Sequence, residues 1–246
     1  MKNSKLLRIL VFYLIAIAVS NLFRFDIVDL QQLIEINEPL ELLLFSPFES
    51  IGVIIGALIA LKLLKKKRTT RHSLFGTSKT LSVIMVIIPV ALLVIFGVDN
   101  TLNEPAHSYG LWAGAGTLIY CLFEEIGWRG YLQDELSSLK EWQSTLLVGF
   151  LWYLWHLQFL INTAIIDNAI FLAILIAGSW GLAKVMKFTK SILAVTAFHM
   201  IINILITNSL IKNGLPQNHK IWILGIAVTT FILILIWWDK KPAKSV

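Results

Sequence analysis

The chain has 246 residues, of which 57% are hydrophobic and 15% charged, with a mean hydropathy of +0.76. Soluble domains carry about a quarter charged residues, so this composition excludes an ordinary soluble globular protein and implies a polytopic membrane protein. The net charge of +6 does not imply nucleic acid, because lysine and arginine lie in short loops beside apolar runs, where they set topology.

Apolar runs of about 18 residues or more read as membrane spans. They fall near 6–23, 42–64, 80–98, 110–132, 144–162, 168–186, 192–211 and 220–238. No soluble segment of domain size separates them. The reading is an all-α bundle of about eight transmembrane helices, a single integral-membrane domain over 1–246, with its motif-bearing core at about 110–211. The first run follows Met1-Lys2-Asn3-Ser4-Lys5 and is read as a retained span, since the small-residue pattern of a signal-peptide cleavage site is poor. Pro47 predicts a kinked or interfacial start to the second span, and Pro89 a kink in the third.

The loops alternate in charge. Lys2, Lys5 and Arg8 open the chain, and the next loop is acidic (Asp26, Asp29, Glu35, Glu38, Glu41). Lys65-Lys66-Lys67-Arg68 and Arg71 follow the second span and read as a topology anchor. Further basic residues come at Arg129 and Lys140, at Lys184, Lys187 and Lys190, and at Lys240, Lys241 and Lys244. The segments 99–109 and 163–167 have no lysine or arginine; Lys212 and Lys220 break the alternation. This pattern places both termini in the cytoplasm, with the plasma membrane as the expected location. Gly52 and Gly56, Gly110 and Gly114, and Ala177 and Gly181 predict close helix contacts through small residues. Cys121, the only cysteine, is a packing residue and allows no disulfide within the chain.

Chemistry concentrates in the fourth, fifth and seventh spans. Glu124 and Glu125 sit side by side in an apolar run, followed by Arg129. Charge at membrane depth costs a few kcal/mol or more unless it is paired or hydrated, so such residues are candidates for function. At ~1.5 Å per residue, Glu124 lies roughly 10 Å from the cytoplasmic surface, His156 about 18 Å, His199 about 12 Å and Asn203 about 18 Å. Three helices thus deliver polar groups to one layer. Glu125 and Arg129 are four apart and share a face, whereas Glu124 and Arg129 diverge by about 140°. Arg129 is therefore expected to neutralise Glu125 and leave Glu124 free to face a cavity open to the cytoplasm. Glu124 is then a general base, His156 a second holder of the same water, and His199 and Asn203 hydrogen-bond donors to an oxyanion. That set suffices for hydrolysis of a peptide bond.

Glu124-Glu125-x-x-x-Arg129, then Trp152-x-x-x-His156, then His199-x-x-x-Asn203 resembles the motif set of the intramembrane CAAX-protease and bacteriocin-processing family, also called the Abi family. The motifs are short, but three occur in order on the right spans. The resemblance implies an eight-helix core. It implies water activation at Glu124 and His156 and oxyanion stabilisation at His199 and Asn203. Trp152 stands where the family pattern usually has phenylalanine. The substrate class implied is a membrane-associated or lipid-anchored peptide, with CAAX-type processing, bacteriocin maturation or self-immunity as biological settings.

The metal question stays open at this point. Glu124, His156 and His199 are three donors of the kind a catalytic zinc takes, but no HExxH pair is present. Gly178-Ser179-Trp180-Gly181 only faintly echoes a serine intramembrane protease. A second functional class is a membrane scaffold or immunity protein that keeps the fold and regulates a membrane partner without cleaving it. Nothing in the sequence fixes the oligomeric state.

Overall fold

The computed structural model describes residues 5–28, 47–64 and 72–240. The expectations for Lys2, Asp29, Glu35, Glu38, Glu41, residues 65–71, Lys241 and Lys244 lie outside the described residues.

The chain is helical throughout the described residues, apart from turns and one isolated bridge between Ser73 and Ser191. The long helices are α1 (Lys5–Arg24), α2 (Phe48–Lys62), α3 (Lys79–Phe96) and α4 (Ala106–Gly127). After α4 the chain winds into a π-helical turn, Trp128–Leu132, and a short α5 (Gln133–Glu135). Next come α6 (Glu141–His156), a one-turn α7 (Gln158–Ile161) and α8 (Ile165–Thr189). Helix α9 (Ile192–Ile202) runs into a second π-helical turn, Asn203–Thr207, then α10 (Ser209–Lys212) and α11 (Gln217–Asp239).

Local sequence sets these boundaries. Ser78 and Ser191 cap α3 and α9 by accepting from the backbone N–H groups of Leu81 and Ala194. Prolines 47, 105 and 216 stand immediately before α2, α4 and α11, where a fixed φ and a missing N–H cost nothing. Pro47 stands at the start of α2, with the residues before it outside the described ones, and Pro89 lies within α3. Span five is shorter than its apolar run, because Leu157 adopts φ 51° and stops α6 at His156.

Four helices, α1, α3, α8 and α11, are long and apolar enough to cross a membrane. Their outward faces carry exposed Leu14, Ile87, Ile95, Ile170 and Leu233, as surfaces against lipid do. The chain is an integral membrane protein. The other expected spans are present as α2, α4, α6 and α9, which are shorter or interrupted by polar residues.

Two apolar clusters make the interior. Leu81, Leu93, Ala197, Ile201 and Phe231 belong to one; Phe12, Val53, Trp128, Trp155 and Leu182 to the other. Tyr120, Leu122, Val185 and Phe198 pack against both, so the end of α4 runs along the seam. The small-residue contacts are real for two of the three expected pairs. A Cβ on Gly52 would fall 2.8 Å from the Ala16 carbonyl oxygen, and one on Gly110 2.4 Å from that of Leu93. The third is a correction: Ala177 is exposed and Gly181 has nothing within 4 Å of a built Cβ. On α8 and α6 it is Gly149 that allows the close approach, against Ile176.

Candidate active site

The two π-helical turns sit where the motifs are. The Trp128 N–H reaches the carbonyls of both Glu124 and Glu125, and the Asn203 N–H those of both His199 and Met200. Each turn widens its helix by one residue directly after the polar pair, a distortion common at functional sites.

Glu124 and Glu125 are buried and have different partners. Glu125 Oε1 accepts from Arg129 Nη1 at 3.0 Å, and His199 Nδ1 lies 2.7 Å from the same oxygen. The imidazole contact is short but bent away from hydrogen-bond alignment, so it acts chiefly through charge and proximity. Arg129 is fully buried, with its guanidinium carbon 4.4 Å from the Trp152 ring centroid. Arg129 thus pairs with Glu125, as their spacing of four residues predicts.

Glu124 is gripped by indoles. Its Oε2 accepts from Trp152 Nε1 at 2.5 Å and Trp128 Nε1 at 3.2 Å, while its Oε1 has no hydrogen-bond partner among the described residues. A buried carboxylate oxygen without a partner is costly, and water is the natural one to supply it. His156 uses Nδ1 to donate to the Trp152 carbonyl at 2.8 Å, which fixes the neutral tautomer with Nε2 free to accept. Its ring is held edge-to-face by Trp155 and Phe171.

A cavity of about 550 Å³ opens beside these groups. Trp152, His156, His199 and Asn203 line it, as does Tyr120, which also interacts with the Glu124 carboxylate. Glu124 itself is 1% exposed and is not among the lining residues, but its Oε2 is bonded to Trp152, which is, so it adjoins the cavity and does not face it openly as expected. Sequence reasoning missed Arg24 and Glu49 on the wall. Arg24 donates to the Trp155 carbonyl at 2.9 Å, stacks 4.0 Å over the Trp155 ring, and lies 3.7 Å from Glu49. No pattern marks these two, because they come from the end of α1 and the start of α2, far from the motifs.

The cavity's position also bears on topology. Its wall takes in the end of α1, the start of α2, the end of α6 and the start of α8. The start of α1 is at the opposite end, where Lys5 donates to Ser138 and Arg8 pairs with Glu135. The start of α1 and the cavity thus lie at opposite ends of the bundle.

The donor set does not fit a metal. Among the described residues no three of histidine, cysteine, aspartate and glutamate converge on one point. Two indoles occupy Glu124 Oε2, and the His199 Nδ1 atom rests on Glu125.

Comparison with known proteins places the match on these elements. Residues 106–205 match the family model described as type II CAAX prenyl endopeptidase Rce1-like. The chain is also similar to "CAAX prenyl protease 2" of Methanococcus maripaludis, at 32% identity over 136 residues, which cover 50% of this chain and 48% of that protein. The chain spans about half the length of the curated relative it matches.

Proposed function

We propose, from the match of residues 106–205 to the Rce1-like type II CAAX prenyl endopeptidase model, that the chain is a member of that family and an intramembrane endopeptidase. The observation that carries this reading is Glu124, a buried carboxylate with one oxygen clamped by two indoles and the other without a hydrogen-bond partner among the described residues. Such a group is oriented to hold a water through Oε1. The catalytic core is 110–211, and the substrate is a peptide bond in a membrane-tethered peptide or protein.

In the reaction, Glu124 takes a proton from water as its oxygen attacks the scissile carbonyl carbon. His156 Nε2 accepts the water's second hydrogen and orients it. The carbonyl oxygen becomes an oxyanion, which the Asn203 amide and His199 Nε2 stabilise by donating hydrogen bonds. His199 Nδ1 lies 2.7 Å from Glu125 Oε1, which leaves Nε2 as the nitrogen toward the reacting carbonyl. Glu125, itself bonded to Arg129, thus holds the imidazole in place. Collapse of the intermediate breaks the C–N bond, and Glu124 returns its proton to the leaving amine.

Comparing new peptide termini in membranes from cells with wild-type protein, Glu124→Ala or no protein tests the reading. Termini found only with wild type support proteolysis and identify the substrate. If all three samples match while Glu124→Ala still rescues whatever the deletion impairs, the chain acts as a scaffold for a membrane partner.

A further inference from the structure

We propose that Arg24 is a specificity residue, which holds a carboxylate of the bound peptide a few residues from the bond that is cut; this rests on the proteolytic reading above.

Arg24 and Glu49 come from the end of α1 and the start of α2, outside the residues 106–205 that match the family model. Both line the cavity with His156, His199 and Asn203, and Arg24 is the one lysine or arginine among its described lining residues. The guanidinium is fixed along one edge only. Nη1 donates to the Trp155 carbonyl at 2.9 Å and to Asn21 Oδ1 at 3.2 Å. The other edge, Nε with Nη2, is the fork that grips a carboxylate through two parallel hydrogen bonds. Here that fork is loosely filled: Nε is 3.7 Å from Glu49 Oε2, and Nη2 reaches the Glu49 backbone carbonyl only at 3.5 Å. The Arg24 side chain is 12% exposed and that of Glu49 46%. Glu49 thus neutralises the cation without gripping its fork, and has room to turn aside for a better-placed carboxylate.

The distance suits a peptide. The Trp155 ring touches both groups, 4.0 Å from the guanidinium carbon and 4.8 Å from the imidazole, so Arg24 lies within about 9 Å of the His156 ring. An extended chain covers that distance in roughly three residues at ~3.3 Å each. With the scissile carbonyl beside His156, a carboxylate a few residues along the peptide meets the open fork. A buried cation also holds an anion more firmly than one in water, because solvent screens it less. A free C-terminus and an aspartate side chain offer the same chemistry, and the test separates them.

Binding measured without turnover tests this. The protein is the full-length chain with Glu124→Gln, purified in detergent, and the probes are fluorescent decapeptides with an S-farnesyl cysteine fourth from the end. One ends in a free carboxylate, one in a carboxamide, and one in a carboxamide with aspartate as the last residue. Fluorescence anisotropy reads each affinity. The free acid, the aspartate amide or both should bind about tenfold more tightly than the plain amide, as charge-assisted hydrogen bonds imply. Which of them does so identifies the source of the carboxylate. Adding Arg24→Gln should abolish the preference, and adding Glu49→Gln should raise it by removing the competing carboxylate. Equal affinity for all three peptides, or no binding of any, overturns the proposal even where Arg24→Gln fails to fold. A preference that survives Arg24→Gln or falls with Glu49→Gln overturns it too. Cleavage is read separately with Glu124 restored. A carboxylate preference without cleavage of any peptide sinks the enzymatic reading and leaves the Arg24 site standing, whereas cleavage without that preference sinks only the Arg24 site.

Discussion

Trp152 Nε1 donates to Glu124 Oε2 at 2.5 Å, across 28 residues and two helices. The indole lines the cavity beside the carboxylate and fixes which oxygen is left for water. A hydrogen bond to a charged acceptor contributes about 1.5–3 kcal/mol. Trp152→Phe keeps the aromatic wall and removes the donor, so thermal unfolding in detergent should fall by an amount in that range. The family pattern usually carries phenylalanine here, so proteolysis should stay within about tenfold of wild type, or ~1.4 kcal/mol in the barrier. A loss of several orders of magnitude would show that the N–H itself is needed in the reaction.

Glu125 and Arg129 form a fully buried ion pair at 3.0 Å. Removing one partner strands a charge, at a cost of about 3–5 kcal/mol, whereas replacing both is far milder. Glu125→Gln and Arg129→Met should each destabilise strongly, and the double variant should recover much of the loss in chemical unfolding. Additive losses would mean that the pair does not act as a unit.

The i,i+4 relation behind that pair was legible in the sequence, as was the pairing of His199 with Asn203 on one wall. The apolar runs likewise located the helices. The break after His156 was not legible, because Leu157 takes a left-handed conformation that glycine or asparagine would have announced. Nor were the π-helical turns, since they arise from packing of the whole bundle and not from local composition. The indole grip on Glu124 was hidden for a related reason. Trp128 and Trp152 read as apolar wall residues until their N–H groups are placed. Arg24 and Glu49 reach the cavity only because α1 and α2 pack together, with the end of α1 held against Trp155 of α6.

His199 and Asn203 are assigned to the oxyanion, whose charge exists only during the reaction. His199→Gln and Asn203→Ala should therefore each lower kcat by about 10²–10³ and leave KM within a few-fold, as loss of one oxyanion donor does. A rise in KM at constant kcat would reassign the residue to substrate binding.

Two glycines give a contrast in packing. A methyl at Gly110 would press on the Leu93 carbonyl, with 2.4 Å between Cβ and oxygen, and the backbone there cannot swing aside. Gly110→Ala should cost about 1–3 kcal/mol as α3 and α4 separate. Gly181 has nothing within 4 Å of a built Cβ and lies within α8. Gly181→Ala should be neutral or stabilise by up to about 1 kcal/mol through helix propensity. Paired unfolding curves check both; equal effects would mean that the α3–α4 approach is looser than described.

Glu141, at the start of α6 and outside the apolar run, is held by Lys184 and Lys187 from the end of α8. Hydrogen bonds from Lys184 and then Lys187 lower its carboxyl from the usual 4.5 to about 2. Because the folded value lies below the unfolded one, the contribution to stability is complete above about pH 4.5. It is lost as the pH falls from there toward 2. The site is open to solvent, so salt should weaken the effect. The difference in melting temperature between wild type and Glu141→Gln should thus be constant near neutral pH, shrink below pH 4.5, and narrow in high salt. A difference that grows on acidification would mean that the carboxylate is strained in the folded state instead of stabilised by the two lysines.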